Sequence, residues 1–133
     1  RRCVEETENV WYNAIYKEKD DETDKYTRPG GYFVSDFNDA LGNLFVDSSF
    51  SSKIDSIDKN QDTVNSLMKK LKNPPEEYKD AYDALSDFYD AYLALTGCAT
   101  DPSGSLQTYS STFNDADTDT LNAYKAMQQY LGD

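Results

Sequence analysis

The segment 50–72 places apolar side chains at alternating intervals of four and three residues along its whole length. This spacing keeps the side chains on one face of an α-helix and is typical of a helix that packs in a bundle. The members of the face are Phe50, Ile54, Ile57, Val64, Met68 and Leu71, with Gln61 as a polar member. Asn73 precedes Pro74 and Pro75, and because a residue before proline avoids the helical region, the helix is predicted to end there.

The same periodicity predicts four more helices. Ser35 or Asp36 is the predicted cap of the helix 36–46, and Gly97 is a stop signal after the helix 75–96. The acidic stretch 115–119 is expected to kink or interrupt the last helix. The predicted ranges are 4–22, 36–46, 75–96 and 105–131.

Between the first two helices, the segment 23–35 contains the turn signal Arg-Pro-Gly-Gly. Tyr26 lies before this turn and Tyr32-Phe33-Val34 follow it, so the segment is predicted to be irregular or to form a small hairpin. Four long helices and one short helix, without a convincing sheet, predict an all-α fold, an antiparallel up-down helical bundle. The length of 133 residues fits a single domain over 1–133.

The two cysteines give a geometric test of this topology. In simple up-down order, the first helix begins at the end of the bundle where the helix 75–96 finishes. Cys3 and Cys98 would then lie together, which predicts a disulfide that closes a loop of nearly a hundred residues and contributes about 4 to 5 kcal/mol. The alternative is two ordinary thiols. A disulfide would indicate an oxidising compartment, so the protein is expected to be secreted or anchored at a cell surface.

The start of the chain, Arg-Arg-Cys without a methionine, suggests a fragment that lacks an N-terminal signal or anchor. A lipid attached to Cys3 is disfavoured, because Arg1 and Arg2 stand where a lipidation signal needs small and apolar residues. No apolar run approaches the 18 or so residues of a membrane span. The composition, rich in Asp, Asn, Ser, Thr and Tyr, resembles that of surface proteins of Gram-positive bacteria.

Charge and residue types exclude several classes of function. With 25 acidic against 13 basic side chains, the net charge is -12, which disfavours direct binding of nucleic acids. The chain has no histidine, and this removes Ser-His-Asp and Cys-His nucleophile pairs and histidine-ligated zinc or haem. The cysteines lack the CxxC spacing of redox or zinc motifs. No cofactor and no enzymatic activity are therefore expected.

One metal motif is partly matched. Asp115, Asp117 and Asp119 alternate as the first ligands of an EF-hand calcium loop do. The remainder of the motif fails, because Thr120 stands at the position of the glycine and Ala126 at that of the final glutamate. Helix capping and a solvated surface are therefore the preferred explanation of these aspartates.

Aromatic residues are the best candidates for an interaction site. Trp11 and Tyr12 are adjacent and point about 100° apart on a helix, so one of them is expected near the surface. Tyr26, Tyr32 and Phe33 flank the flexible turn and are expected to be exposed, where they could contact a protein, peptide or glycan.

Two functions follow from these features. The leading hypothesis is a non-enzymatic, extracytoplasmic helical-bundle module that binds a partner or acts as a structural surface element. The alternative is an acidic inhibitor or immunity protein that covers a basic partner surface, as a mimic of DNA. The acidic columns Asp80/Asp87 and Asp83/Asp90 on the helix 75–96 support the alternative.

Overall fold

A computed structural model describes residues 1–131 of the chain. These residues form six α-helices, with single 3-10 turns at Pro29–Gly31 and Glu76–Tyr78, and they contain no strand. The all-α helical bundle predicted from the sequence is thus confirmed. The helices are α1 (Arg2–Tyr16), α2 (Asp24–Thr27), α3 (Phe37–Val46), α4 (Ser48–Lys70), α5 (Lys79–Thr100) and α6 (Leu106–Gln128).

Side-chain caps fix the starts of three helices. The Asp36 carboxylate accepts a hydrogen bond from the backbone N–H of Asn38, and the Asp47 carboxylate accepts one from Phe50. The Ser105 hydroxyl likewise accepts from the Thr108 backbone N–H and completes a capping box with Thr108. Each cap satisfies a backbone donor that the first helical turn leaves unpaired, so α3, α4 and α6 begin within two residues of their predicted starts.

The helices differ from prediction in several places. Helix α1 ends at Tyr16 rather than residue 22, because Lys17 adopts the left-handed conformation with φ 55°. Helix α5 continues through Gly97 to Thr100, and the Gly97 carbonyl accepts the N–H of Asp101. Glycine ends a helix only where the backbone turns left-handed. The acidic stretch 115–119 does not interrupt α6, which is continuous.

The predicted hairpin in 23–35 is wrong. This segment forms α2 and the 3-10 turn, and the Thr27 carbonyl accepts the N–H of Val34 to close the loop. Side chains from two other helices satisfy its polar groups: Asn13 donates to the Thr23 hydroxyl at 3.0 Å, and Asn43 donates to the Tyr26 carbonyl at 3.0 Å. The segment packs on the bundle through these bonds, without strand pairing.

Helices α4, α5 and α6 form an antiparallel layer with α5 in the middle. Gln61, the polar member of the α4 face, donates to Thr96 of α5 at 2.7 Å. Tyr109 at the start of α6 donates to the Cys98 carbonyl, and Thr120 further along donates to the Ala91 carbonyl. Helix α6 packs closely on α5, while α4 contacts α5 and, within residues 1–131, does not contact α6. A groove therefore runs along α5 between its two neighbours.

Helix α1 lies in one half of this groove and contacts all three helices. Arg1 forms an ion pair with Asp117 at 2.8 Å, and the Glu8 carboxylate accepts a hydrogen bond from Ser110. Arg1 lies beside Asp117 and Glu8 lies beside Ser110, so the two helices run in opposite directions. Helix α1 is then parallel to α5, and the predicted meeting of the start of α1 with the end of α5 does not occur.

The core is confined to the half of the layer that α1, α2 and α3 cover. We call this the proximal half (48–56, 92–100 and 106–117) and the remainder of the three helices the distal half (57–70, 79–91 and 118–128). All the fully buried side chains of α4, α5 and α6 lie in the proximal half. They are Phe50, Ile54, Cys98, Ala99, Tyr109, Phe113 and Ala116.

Candidate functional site

The distal half carries an apolar groove. On α4, α5 and α6, the apolar faces that α1 covers continue into the distal half, beyond the point where α1 begins. On α6, the buried stripe of Phe113 and Ala116 continues as Leu121, Tyr124 and Met127. Tyr124 and Met127 follow Phe113 and Ala116 by eleven residues, about three helical turns, so they lie on the same side of the helix. We call the continuation, over α5 between α4 and α6, the distal groove.

The end of the distal groove is a depression of about 260 Å³. Helix α5 forms the floor, and the ends of α4 and α6 form the walls. Nearly the whole lining is apolar or aromatic. It includes Leu71, Tyr78, Tyr82, Leu85, Met127 and Leu131. Such concave apolar surfaces are where proteins commonly bind ligands and partner helices.

The inner end of the distal groove meets the start of α1. Arg1, held by Asp117, borders a second depression that Phe88, Leu121 and Tyr124 line. The rings of Phe88 and Tyr124 lie 5.8 Å apart. The apolar surface is thus continuous from the seat of α1 to the far end of the layer.

The walls of the distal groove are unusually exposed for their chemistry. Leu71 at the end of α4 and Leu121 on α6 line the groove and keep 48% and 53% of their surface accessible. Single exposed leucines are common, but a contiguous set along a groove indicates a binding surface. The arrangement holds no residue pair suited to acid–base chemistry, and it can accommodate an apolar helix or peptide.

The aromatic candidates from the sequence divide between core and surface. Trp11 is 3% exposed, stacks on Phe37 with ring centroids 5.6 Å apart and packs on Tyr109 at 5.4 Å. Its neighbour Tyr12 is 48% exposed and stacks on Tyr16. The expectation that one of the two lies near the surface is confirmed, and Trp11 is the structural member of the pair.

Around the Pro-Gly-Gly turn, only part of the prediction holds. Tyr26 is 4% exposed and belongs to the core, so its predicted exposure is wrong. Tyr32 is 84% exposed, and Phe33 is half-buried beneath Lys17 and Arg28, whose charged groups lie 5.8 and 5.3 Å from its ring centroid. The structure therefore leaves Tyr12 and Tyr32 as the accessible candidates, without a groove between them.

The predicted Cys3–Cys98 disulfide is absent from the structure, in which both residues are buried free thiols. Cys3 lies in the first turn of α1, where its carbonyl accepts a hydrogen bond from the Thr7 hydroxyl at 2.8 Å. Cys98 lies near the end of α5, and its carbonyl accepts from the Tyr109 hydroxyl.

Both thiols are expected to resist modification in the native protein. Burial raises the pKa of the Cys3 thiol and of the Cys98 thiol above the ordinary value, so little reactive thiolate forms near neutral pH. Reaction with Ellman's reagent should be slow without denaturant and should release two equivalents at once in guanidinium chloride. Release of none in denaturant would show that the disulfide forms after all, and would indicate an oxidising compartment.

The three aspartates of the calcium motif do not converge. Asp115, Asp117 and Asp119 lie on the continuous helix α6, where alternate residues point about 200° apart. Asp117 is engaged by Arg1 instead. Between residues 1 and 131, no group of three or more acidic or cysteine side chains is arranged to hold a metal ion.

Sequence reasoning missed the walls of the distal groove. Leu71, Leu121 and Tyr124 fit the periodicity of bundle helices, so the sequence predicted that they face other helices. The first helix was predicted over 4–22, whereas α1 has 15 residues and α4, α5 and α6 have 22 or 23, so the mismatch in length is visible only in the structure. A short helix cannot cover the full apolar faces of three long ones.

Over residues 1–131, the helices are too polar for any of them to cross a lipid bilayer. Comparison of the chain with models of protein families, with curated proteins and with solved structures found no match.

Proposed function

We propose that the chain is a non-enzymatic interaction module that binds a partner protein in the distal groove. One observation carries the proposal: the apolar faces of α4, α5 and α6 continue beyond α1, and no segment within residues 1–131 covers them. Burial of apolar surface supplies about 25 cal/mol per Å², so a partner that filled the groove would gain most of its binding energy from this surface.

The chemistry of the molecule supports a binding role over catalysis. The chain has no histidine, and aromatic and aliphatic side chains line the groove. The extracytoplasmic location is a further part of the proposal, and it is supported by the polar, tyrosine-rich composition of the chain. Fractionation of cells of the source organism tests this location: the protein should be found in the medium or at the cell surface, and recovery from the cytosol alone would contradict it.

The acidic inhibitor is the second candidate, and one observation favours it. Asp80, Asp83, Asp87 and Asp90 are all exposed on α5. Asp83 and Asp87 each lie about 160° around the helix from Leu85, so the acidic surface is on the side opposite the distal groove. The two candidate functions therefore use different faces and can be separated by experiment.

Site-specific photo-crosslinking tests the proposal. A photoreactive phenylalanine analogue is introduced in place of Leu121 in the groove, and in matched variants in place of Asp87 on the acidic face and of Tyr32 on the loop. All three positions are exposed, so the substitutions should leave the fold intact. We expect a protein adduct from the Leu121 position in cells of the source organism. The adduct is then identified by mass spectrometry and the purified partner titrated against the protein.

The matched positions decide between the candidates. A partner that crosslinks at Leu121 and binds the purified wild-type chain, but not a Leu71→Asn/Leu121→Asn variant, would establish the distal groove as the site. Crosslinking at Asp87 alone, to a basic protein, would favour the inhibitor and contradict the proposal. Crosslinking at Tyr32 alone would move the interaction to the loop.

A further inference from the structure

We propose that the occupant of the distal groove is a second copy of this chain, so that two molecules form a symmetric dimer through their distal halves. The inference rests on the proposed function and names the partner. Four features of the molecule support it: the apolar area of the groove, the position of the charged side chains, the size of the depressions and the space that α1 already fills.

The distal groove exposes enough apolar area for a stable dimer. Six leucine and tyrosine side chains that line it keep between 42% and 58% of their surface accessible: Leu71, Tyr78, Leu121, Tyr124, Tyr130 and Leu131. At half exposure, side chains of this size present about 100 Å² each, so the six together expose roughly 600 Å². A stable interface buries about 800 Å² on each partner. The half-buried Leu85 and Phe88 on the floor of the groove supply part of the remainder.

The charged side chains permit contact between two distal grooves. Of the residues that line the two depressions, the charged ones are Arg1 and Asp117, and these form an ion pair with each other at 2.8 Å. The exposed aspartates of α5 lie on the side opposite the groove, so in a dimer they point away from the partner. Between exposed charges, physiological salt screens repulsion over about 8 Å. The grooves of two copies therefore meet as neutral, apolar surfaces.

The depressions of the groove have the size of single side chains. Their volumes are about 260 and 410 Å³, and a cavity of about 150 Å³ already holds one benzene ring. Each depression therefore accommodates one or two large side chains. Leu121 and Tyr124 on the wall of one copy are exposed and supply such side chains to the other copy. A twofold axis makes every contact of this kind occur twice, so one groove provides both the depressions and the side chains that fill them.

The position of α1 determines how the two copies are arranged. Helix α1 fills the groove in the proximal half, where α2 and α3 contact it, so only the distal halves can meet. Two copies side by side in the same direction would bring these three helices into collision with the partner. The copies are therefore antiparallel, with their proximal halves at opposite ends of an elongated dimer. Their overlap on α6 runs from Asp117 to Leu131, which is about 21 Å of helix.

Light scattering coupled to size-exclusion chromatography tests the inference on the purified chain. Over a concentration series, we expect a reversible transition from the monomer to a species of twice its mass. Leu71→Asn/Leu121→Asn should raise the dissociation constant of the dimer at least about tenfold. The matched control, Ile15→Asn/Val46→Asn, removes two exposed apolar side chains outside the groove and should leave the constant unchanged. Unchanged far-ultraviolet circular dichroism of both variants shows that the helices are intact.

Salt distinguishes an apolar dimer from one held by charges. Each copy carries a net charge of -12, while the proposed contact is apolar, so salt should screen the repulsion without weakening the contact. Raising the sodium chloride concentration from about 50 to about 500 mM should lower the dissociation constant at least about twofold. A constant that rises with salt would show that ion pairs hold the dimer, and would contradict the inference.

Crosslinking locates the contact. The photoreactive phenylalanine analogue in place of Leu121 should give a covalent dimer of the purified chain, and the same analogue in place of Asp87 or Tyr32 should not. A monomer at every concentration, or a dimer that Leu71→Asn/Leu121→Asn leaves intact, would overturn the inference. If the purified chain is monomeric while crosslinking from Leu121 in cells identifies a different protein, the proposed function stands and only the second copy is wrong. Absence of any adduct from Leu121, both in cells and in the purified chain, would contradict both proposals.

Discussion

Trp11→Ala is expected to destabilise the protein by about 3 to 5 kcal/mol, the largest effect of any single side-chain truncation in this chain. The indole is almost fully buried where α1 meets α3 and α6, between Phe37 and Tyr109. Its removal loses the transfer energy of a large aromatic surface and leaves a cavity that three helices would have to close. A small bundle has a total stability of about 5 to 15 kcal/mol, so the variant should approach the unfolding threshold.

The adjacent residue provides a matched control. Tyr12 lies next to Trp11 on the same helix and contacts mainly Tyr16 at the surface. Tyr12→Ala should therefore change the free energy of unfolding by no more than about 1 kcal/mol. Urea denaturation followed by circular dichroism measures both variants. Equal losses for the two would mean that α1 is rotated relative to the arrangement described above.

Alkaline pH is expected to destabilise the protein through Tyr109. Burial raises the pKa of this phenol well above its ordinary value, and the neighbouring Cys98 adds to the effect. The unfolded chain then releases the phenolic proton at a lower pH than the folded protein does. Stability from this group is present below about pH 10, the ordinary value of tyrosine, and is lost as pH rises above it.

Tyr109→Phe separates this effect from other ionisations. The Tyr109 hydroxyl donates to the buried Cys98 carbonyl at 2.6 Å, and its removal should cost about 1 to 3 kcal/mol at neutral pH because the acceptor stays buried without its donor. The difference in stability between wild type and variant should then shrink as pH rises above about 10. Tyr32→Phe removes a fully solvated hydroxyl and should leave the dependence of stability on pH unchanged. A constant difference at all pH values would show that Tyr109 does not ionise on unfolding.

Most of the secondary structure was predictable because it depends on local interactions. The alternation of four and three along 50–72 specifies a helix from its own residues, and Asn73-Pro74-Pro75 limits its end by sterics alone. The caps at Asp36 and Ser105 are equally local. The errors occurred where contacts between residues distant in the sequence determine the local structure. Gly97 stays helical inside the packed end of α5. Tyr26 lies in the core because hydrogen bonds connect 23–35 to α1 and α3.

The candidate site was less predictable than the helices. Leu71 lies three heptads after the buried Phe50, and Tyr124 lies about three helical turns after the buried Phe113. Periodicity reports which face of a helix is apolar, not whether another helix covers that face. The loop aromatics were singled out because exposed aromatics on turns often bind partners. The structure retains Tyr32 as an exposed residue and places Tyr26 in the core.

The sequence by itself determined the all-α class, the cap of α3 and the lack of histidine chemistry, since each depends on residue type and near neighbours. Only the tertiary structure decided the direction and position of α1. A helix of 15 residues buries the same apolar stripe whether it runs up or down a groove, so its direction depends on distant partners such as Asp117 and Ser110. That choice leaves the distal groove open.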